Sequence, residues 1–129
     1  MTPLVVYDSL TGNVQRFVRK LGCRNVKLDE SLRVHEPFVL VTYTIGNGQA
    51  PLSTLRFLQE NSRYLIAVAS SGNRNWGSNY ARAAHVISTR FSVPVLHTFE
   101  LAGTEEDVEQ FLKEADRYGP SHSQMDRAQ

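Results

Sequence analysis

The sequence of 129 residues predicts an α/β fold whose parallel sheet is covered on both faces. Its strand-like segments are continuous apolar runs rather than alternating ones: Leu4-Val5-Val6-Tyr7, Phe38-Val39-Leu40-Val41-Thr42 and Leu65-Ile66-Ala67-Val68-Ala69. Between the strands lie apolar residues at helical spacing, so strand and helix alternate along the chain. Polar, glycine-bearing stretches follow the first, third and fourth strands, and the opposite ends show nothing similar.

The elements follow in order. After the first strand comes Ser9-Leu10-Thr11-Gly12-Asn13, and then Val14, Phe17, Val18 and Leu21 at i, i+3, i+4, i+7, the face of a first helix. Asn25 to Leu28 reads as a short second strand, and Asp29 to Pro37 as a polar loop closed by proline. The third strand, from Phe38, leads into a loop from Thr42 to Pro51. A helix is expected near Pro51, a residue tolerated at a first helical position, with Leu52, Leu55, Phe57 and Leu58 on its apolar face. The fourth strand, from Leu65, is followed by a loop from Ser70 to Ser78. Tyr80, Ala84, Ile87 and Phe91 then mark a third helix. Val95 to Leu101 is the last strand. Thr104, with Asp107 three residues on, has capping-box spacing before a helix that buries Val108, Phe111, Leu112 and Ala115. One domain over residues 1–118 is expected, with a disordered tail over 119–129.

Five such strands suggest the flavodoxin-like order 2-1-3-4-5, a three-layer sandwich. In sheets of this kind ligands sit outside the carboxyl ends of the strands, at the switch point between strands one and three. Parallel crossovers usually take a dozen or more residues. Asp29 to Pro37 is shorter, so the helix of the second crossover should be a single turn or absent, leaving one patch of the sheet thinly covered.

Ser9 to Asn13 lies where a strand's carboxyl end meets a helix's amino end. Unpaired N–H groups and the helix dipole favour an anion there, and Ser9, Thr11 and Asn13 add donors while Gly12 lets the backbone approach. No lysine or arginine lies in this loop, so a phosphate would be held mostly by neutral donors. A ligand-free helix cap is the other reading of the same residues. In the second loop, Gly46 and Gly48 suit positive φ, and Tyr43 and Ile45 offer flat or apolar surface. The third loop, Ser70-Ser71-Gly72-Asn73-Arg74-Asn75-Trp76-Gly77, holds the sole tryptophan, which is either a ring-stacking residue or a local core plug. Asn73 and Asn75 suit the edge of a flat heterocycle, and Arg74 faces either anionic charge or solvent. A phosphate cradle and two ring-binding loops specify a mononucleotide-like ligand, and FMN suits best.

Other classes are excluded by what is missing. The formal net charge is +1 with no basic stripe, which argues against nucleic acid as partner. No apolar run approaches the ~20 residues of a membrane span, and no signal peptide is visible. The single cysteine, Cys23, forms no internal disulfide and points to a reducing, cytoplasmic setting; it reads as a bystander. There is no GxxxxGK[ST] motif, and Gly46-Asn47-Gly48 lacks the third glycine of a dinucleotide fingerprint and follows the wrong strand. His35, His85, His97 and His122 show no metal-ligand spacing, so no metal site is expected. His97 reads as a hydrogen-bonded core residue.

The segments Asp8 to Phe17, Val41 to Thr44, Ala69 to Gly77 and Phe99 to Thr104 closely resemble the NrdI family, flavodoxin-like activators of class Ib ribonucleotide reductase. The resemblance covers about the whole chain except the tail. Its most specific part is Ser71-Gly72-Asn73-Arg74-Asn75-Trp76-Gly77, which ordinary flavodoxins do not carry, and the short second crossover is also similar. The resemblance implies an FMN protein that takes electrons from a reductase and, once reduced, reacts with O₂. The resulting superoxide or peroxide is passed to the dimanganese site of the reductase small subunit, where the tyrosyl radical cofactor forms. The chain then acts as activator rather than as an enzyme in the usual sense. It also implies that Ser9, Thr11, Gly12 and Asn13, with Leu10 and Val14 beside them, bind phosphate. The loops Thr42-Tyr43-Thr44-Ile45-Gly46-Asn47-Gly48 and Gly72 to Gly77 would flank the flavin ring. A general electron carrier for another partner is the alternative class, and a non-redox phosphate-ligand domain a third.

Overall fold

The computed structural model describes residues 2–119; from residue 120 on, the expected tail lies outside the described residues. The chain runs β1 (Leu4–Tyr7), α1 (Asn13–Leu21), β2 (Asn25–Lys27), β3 (Phe38–Tyr43), α2 (Leu52–Asn61), β4 (Leu65–Gly72), α3 (Ala83–Phe91), β5 (Val95–Glu100) and α4 (Glu105–Asp116). The five strands form one parallel sheet in the order β2-β1-β3-β4-β5, as the sequence predicts.

Strand alternation divides the core in two. Val39 and Val41 of β3 turn to one face with Val5, Ala67, Ala69 and Phe99, where α1 and α4 cover them through Phe17, Val18, Phe111 and Ala115. Phe38 and Leu40 turn to the other face with Val6 and Val68, under Leu58 of α2 and Ala84 and Ile87 of α3. The first layer is tied together by aromatic packing: Phe17 stacks on Phe99 at 3.9 Å between centroids and meets Phe111 edge-on at 5.6 Å. At α4 the capping box forms as expected. Thr104 Oγ1 accepts from the Asp107 N–H at 3.1 Å, and the Thr104 N–H donates to Asp107 Oδ2 at 2.8 Å.

No helix forms between β2 and β3. The short segment is instead made compact by Asp29, whose Oδ1 accepts from the Ser31 N–H, the Ser31 hydroxyl and the Leu32 N–H, each at 2.8 Å. Val34 reaches inward and is buried, so the loop itself covers part of the sheet. A cavity of ≈ 280 Å³ lined by Leu28, Arg33, Phe57 and Glu60, among others, remains at the thinly covered patch.

Elsewhere element boundaries depart from the periodicity. β4 continues through Ser70, Ser71 and Gly72, which the sequence suggested were loop. Both serines are buried because their hydroxyls find carbonyl acceptors: Ser70 donates to Ala81 O and Ser71 to Leu101 O, each at 2.6 Å. On α2, Leu52 is 66% exposed, whereas Thr54 and Asn61 are buried. Thr54 is satisfied by Asp8 and Thr42, and Asn61 by Val34, Leu32 and Phe57, so two polar residues take positions on the buried face. Pro51 is the cap residue of α2 rather than its first helical residue. Tyr80 precedes α3, which starts at Ala83, and Leu101 leaves β5 with φ 53°.

Candidate functional site

The carboxyl ends of β1, β3, β4 and β5 surround a cleft of ≈ 330 Å³. From the β1–α1 loop come Ser9, Leu10, Thr11, Asn13 and Val14; from the β3–α2 loop, Tyr43, Thr44, Ile45 and Gly46. Ser71, Gly72, Asn73 and Trp76 line the third side, and Leu101 the fourth. None of these lining side chains is charged. The cleft sits beside the β1–β3 switch point, as the rule for doubly wound sheets requires.

At one end of the cleft the start of α1 is bare. Its cap residue is Gly12 at φ 93°, a conformation glycine adopts without strain, and glycine has no side chain with which to cap the helix. No acidic residue lies in the first turn. The leading N–H groups therefore lack intrahelical partners, and the positive end of the dipole is uncompensated. Ser9 Oγ accepts only a long bond from the Gln15 N–H at 3.3 Å, so Ser9 and Thr11 present hydroxyls to the same end. Arg16 contributes a feature that the loop sequence hides. Its Nη2 donates to Asn13 Oδ1 at 2.6 Å, and a Cβ at Gly12 would lie 2.9 Å from its Nη1. A guanidinium thus folds back beside a loop that carries no charge of its own.

At the other end the loops are laced to one another. The Thr44 N–H donates to Ser71 O at 3.0 Å, and Thr44 Oγ1 accepts from the Ala83 N–H at 3.1 Å. The Leu101 N–H donates to Gly72 O at 3.0 Å. Gly72 lies flat against Ala81, whose own φ is 51°. The 45–49 segment closes as a tight turn, with the Ile45 N–H donating to Gln49 O at 3.0 Å. Within it Gly48 has φ 81°, whereas Gly46 has no positive φ. The Tyr43 phenol is raised above its ordinary value, first by burial and then by the Asp8 carboxylate.

Six residues expected at the site stand outside the lining. Thr42 is fully buried, with its hydroxyl on Thr54 Oγ1 at 2.8 Å, because strand alternation turns it toward α2. Gly12 lies beneath Arg16, and a Cβ at Gly48 would lie 2.9 Å from both Asn79 Oδ1 and Arg82 Cδ. Asn47 is exposed within the 45–49 turn. Asn75 and Gly77 belong to the 3₁₀ segment Arg74–Asn79, where the Asn75 N–H donates to Asn73 Oδ1 at 2.9 Å. Arg74 does not line the cleft and is largely exposed to solvent, the second of its two expected places. Its backbone N–H and its guanidinium both meet Glu100, and the guanidinium lies 4.8 Å from the Tyr80 ring centroid. Leu101 was not foreseen as a site residue, since as a strand residue it would have pointed elsewhere; the Leu-Ala-Gly-Thr sequence after the strand was the available sign of a turn.

His97 and Cys23 do not line the cleft. His97 Nε2 is 2.8 Å from Asp107 Oδ1. Burial pushes the Cys23 thiol up, which disfavours the nucleophilic thiolate. Among the described residues no group of three or more His, Cys, Asp or Glu side chains is arranged to hold a metal ion. Among the same residues no helix is long and apolar enough to cross a membrane.

A parallel sheet of order 2-1-3-4-5 with a cleft at its switch point defines a flavodoxin-like protein. A solved short-chain flavodoxin associated with a bacterial microcompartment superposes with a TM-score of 0.65 at 21% identity, covering 90% of this chain and 95% of its own, which shows the fold. The model of the family described as NrdI Flavodoxin like matches residues 5–113. "Protein NrdI" of Bacillus licheniformis is 51% identical over 114 residues, 88% of this chain and 87% of its own. "Protein NrdI" of Macrococcus caseolyticus is 46% identical over 121 residues, 93% of this chain and 94% of its own. The chain belongs to the NrdI flavodoxin-like family.

Proposed function

We propose that the chain binds one FMN and, when reduced, supplies the oxidant that assembles the dimanganese–tyrosyl radical cofactor of a class Ib ribonucleotide reductase small subunit. The observation that carries the flavin part is the cleft itself. A bare helix start flanked by hydroxyls lies at one end, and neutral, partly aromatic walls lie at the other. That donor set fits a phosphate joined to a flat ring. Family membership supports the reductase part.

In this reading Ser9, Thr11, Gly12 and Asn13, with the start of α1, hold the phosphate, and Leu10 and Val14 pack beside it. Tyr43, Thr44, Ile45 and Gly46 form one wall of the ring site; Ser71, Gly72, Asn73 and Trp76 form the other. Thr42, Asn47, Gly48, Asn75 and Gly77 shape these walls from behind. FMN, when bound, supplies one-electron chemistry and the reaction of a reduced flavin with O₂. Leu10, Ile45, Trp76 and Leu101 are exposed apolar side chains around the mouth. Such a rim suits a partner protein that must shield a short-lived oxidant from solvent. A separate reductase delivers the electrons, in the cytoplasm, and the chain serves as activator rather than enzyme.

Flavin titration by fluorescence quenching tests the site. FMN is expected to bind far more tightly than riboflavin, and FAD weakly, because the cleft offers no second nucleotide subsite. Equal affinity for riboflavin and FMN would remove the phosphate assignment.

A further inference from the structure

Resting on the FMN reading above, we infer that Arg16 is a specificity-determining residue, the positive charge by which the cleft selects a phosphorylated flavin. Its placement opposes helix electrostatics. Arg16 occupies the first turn of α1, where the dipole's positive end favours carboxylates and disfavours cations. A surface arginine has every reason to extend away into solvent. Here it turns back over Gly12 and anchors on Asn13 Oδ1 through Nη2 alone. Among the described residues no carboxylate pairs with it. The first turn also lacks any acidic residue that would offset the conflict.

A guanidinium held against a helix's positive end, with N–H groups left over, is a charge arrangement completed by an anion. The cleft supplies the place for one, since Asn13 both lines it and carries the arginine. A phosphate monoester has about two negative charges at neutral pH and accepts from a planar fork of donors. The glycine at position 12 is part of the device: a Cβ there would displace the guanidinium, as well as being strained at φ 93°. The neutral hydroxyls then orient the phosphate, while Arg16 makes its charge count.

The test is the FMN-to-riboflavin affinity ratio of the full chain, measured for the unaltered protein and for Arg16→Gln and Arg16→Lys at low and high salt. Arg16→Gln is expected to weaken FMN about tenfold, the scale of one partly exposed charge-assisted hydrogen bond, and to leave riboflavin unchanged. Salt should weaken FMN binding to the unaltered protein and do so less in Arg16→Gln. Arg16→Lys should recover part of the ratio, keeping the charge without the fork. The flavin-free Arg16→Gln protein should melt no lower than the unaltered one, because a clash with the dipole has been removed. An unchanged ratio in Arg16→Gln, with the unaltered protein still preferring FMN, overturns the role of Arg16 alone. No preference for FMN in the unaltered protein overturns the phosphate reading and the inference with it.

Discussion

Gly72→Ala is expected to cost about 3 kcal/mol or more of folding stability, seen as a fall of roughly 10 °C in thermal midpoint. A Cβ at this position would meet the Ala81 backbone N far inside contact distance and Ala81 Cα at 2.8 Å. These are backbone atoms, so no side-chain rotation relieves them. Ala81 is itself fully buried at φ 51°, between the Arg74–Asn79 segment and α3. Room can come only by pushing that segment outward. The Ser70 bond to Ala81 O would stretch first, and the Thr44 bond to the Ala83 N–H would follow. Flavin affinity should fall with stability, because the same segment carries Trp76. Gly46→Ala is the matched control. It also lines the cleft, but it has no positive φ and nothing stands within 4 Å of its Cβ position, so its midpoint should not move. Equal midpoints for the two variants would contradict the packing described for β4.

Thr11→Glu should weaken FMN about a hundredfold while sparing riboflavin. A carboxylate facing a phosphate at close range costs several kcal/mol at an effective dielectric near 20, discounted here because the position is open to solvent. Isothermal titration with both flavins reads the split directly. The substitution should not harm the fold, since Thr11 is exposed and an acidic side chain just before α1 interacts favourably with its dipole. Parallel losses for FMN and riboflavin would place Thr11 at the ring and not at the phosphate.

Strand order and the cleft's location were legible because they depend on patterns that few residues can hide. Continuous apolar strands, alternating helices and polar loops on one edge leave the topology little freedom. The short crossover was legible for the same reason, as nine residues cannot hold a helix and both its turns. The misread features were governed by side-chain pairing across the fold. Ser70 and Ser71 resemble loop residues until Ala81 O and Leu101 O arrive as acceptors. Thr54 and Asn61 displace Leu52 from the buried face of α2 because distant partners satisfy them. Arg74, left open by its sequence between an anion and solvent, is largely exposed and meets Glu100 on a neighbouring strand. Arg16, outside the loop by three residues, reaches the helix start because a helix places i and i+3 side by side. Composition and spacing rank residues by type; the partner that fixes each role lies far away in sequence.

The reductase reading leads to one decisive mixture. The FMN-loaded protein is reduced without oxygen, combined with the Mn(II)-loaded small subunit of a class Ib reductase from the same organism, and exposed to O₂. Electron paramagnetic resonance then follows the tyrosyl radical. The account predicts a radical signal that appears with the reduced protein and is absent when the protein is omitted or left oxidised. No radical from the reduced, FMN-loaded protein would contradict it and leave a general electron carrier in its place.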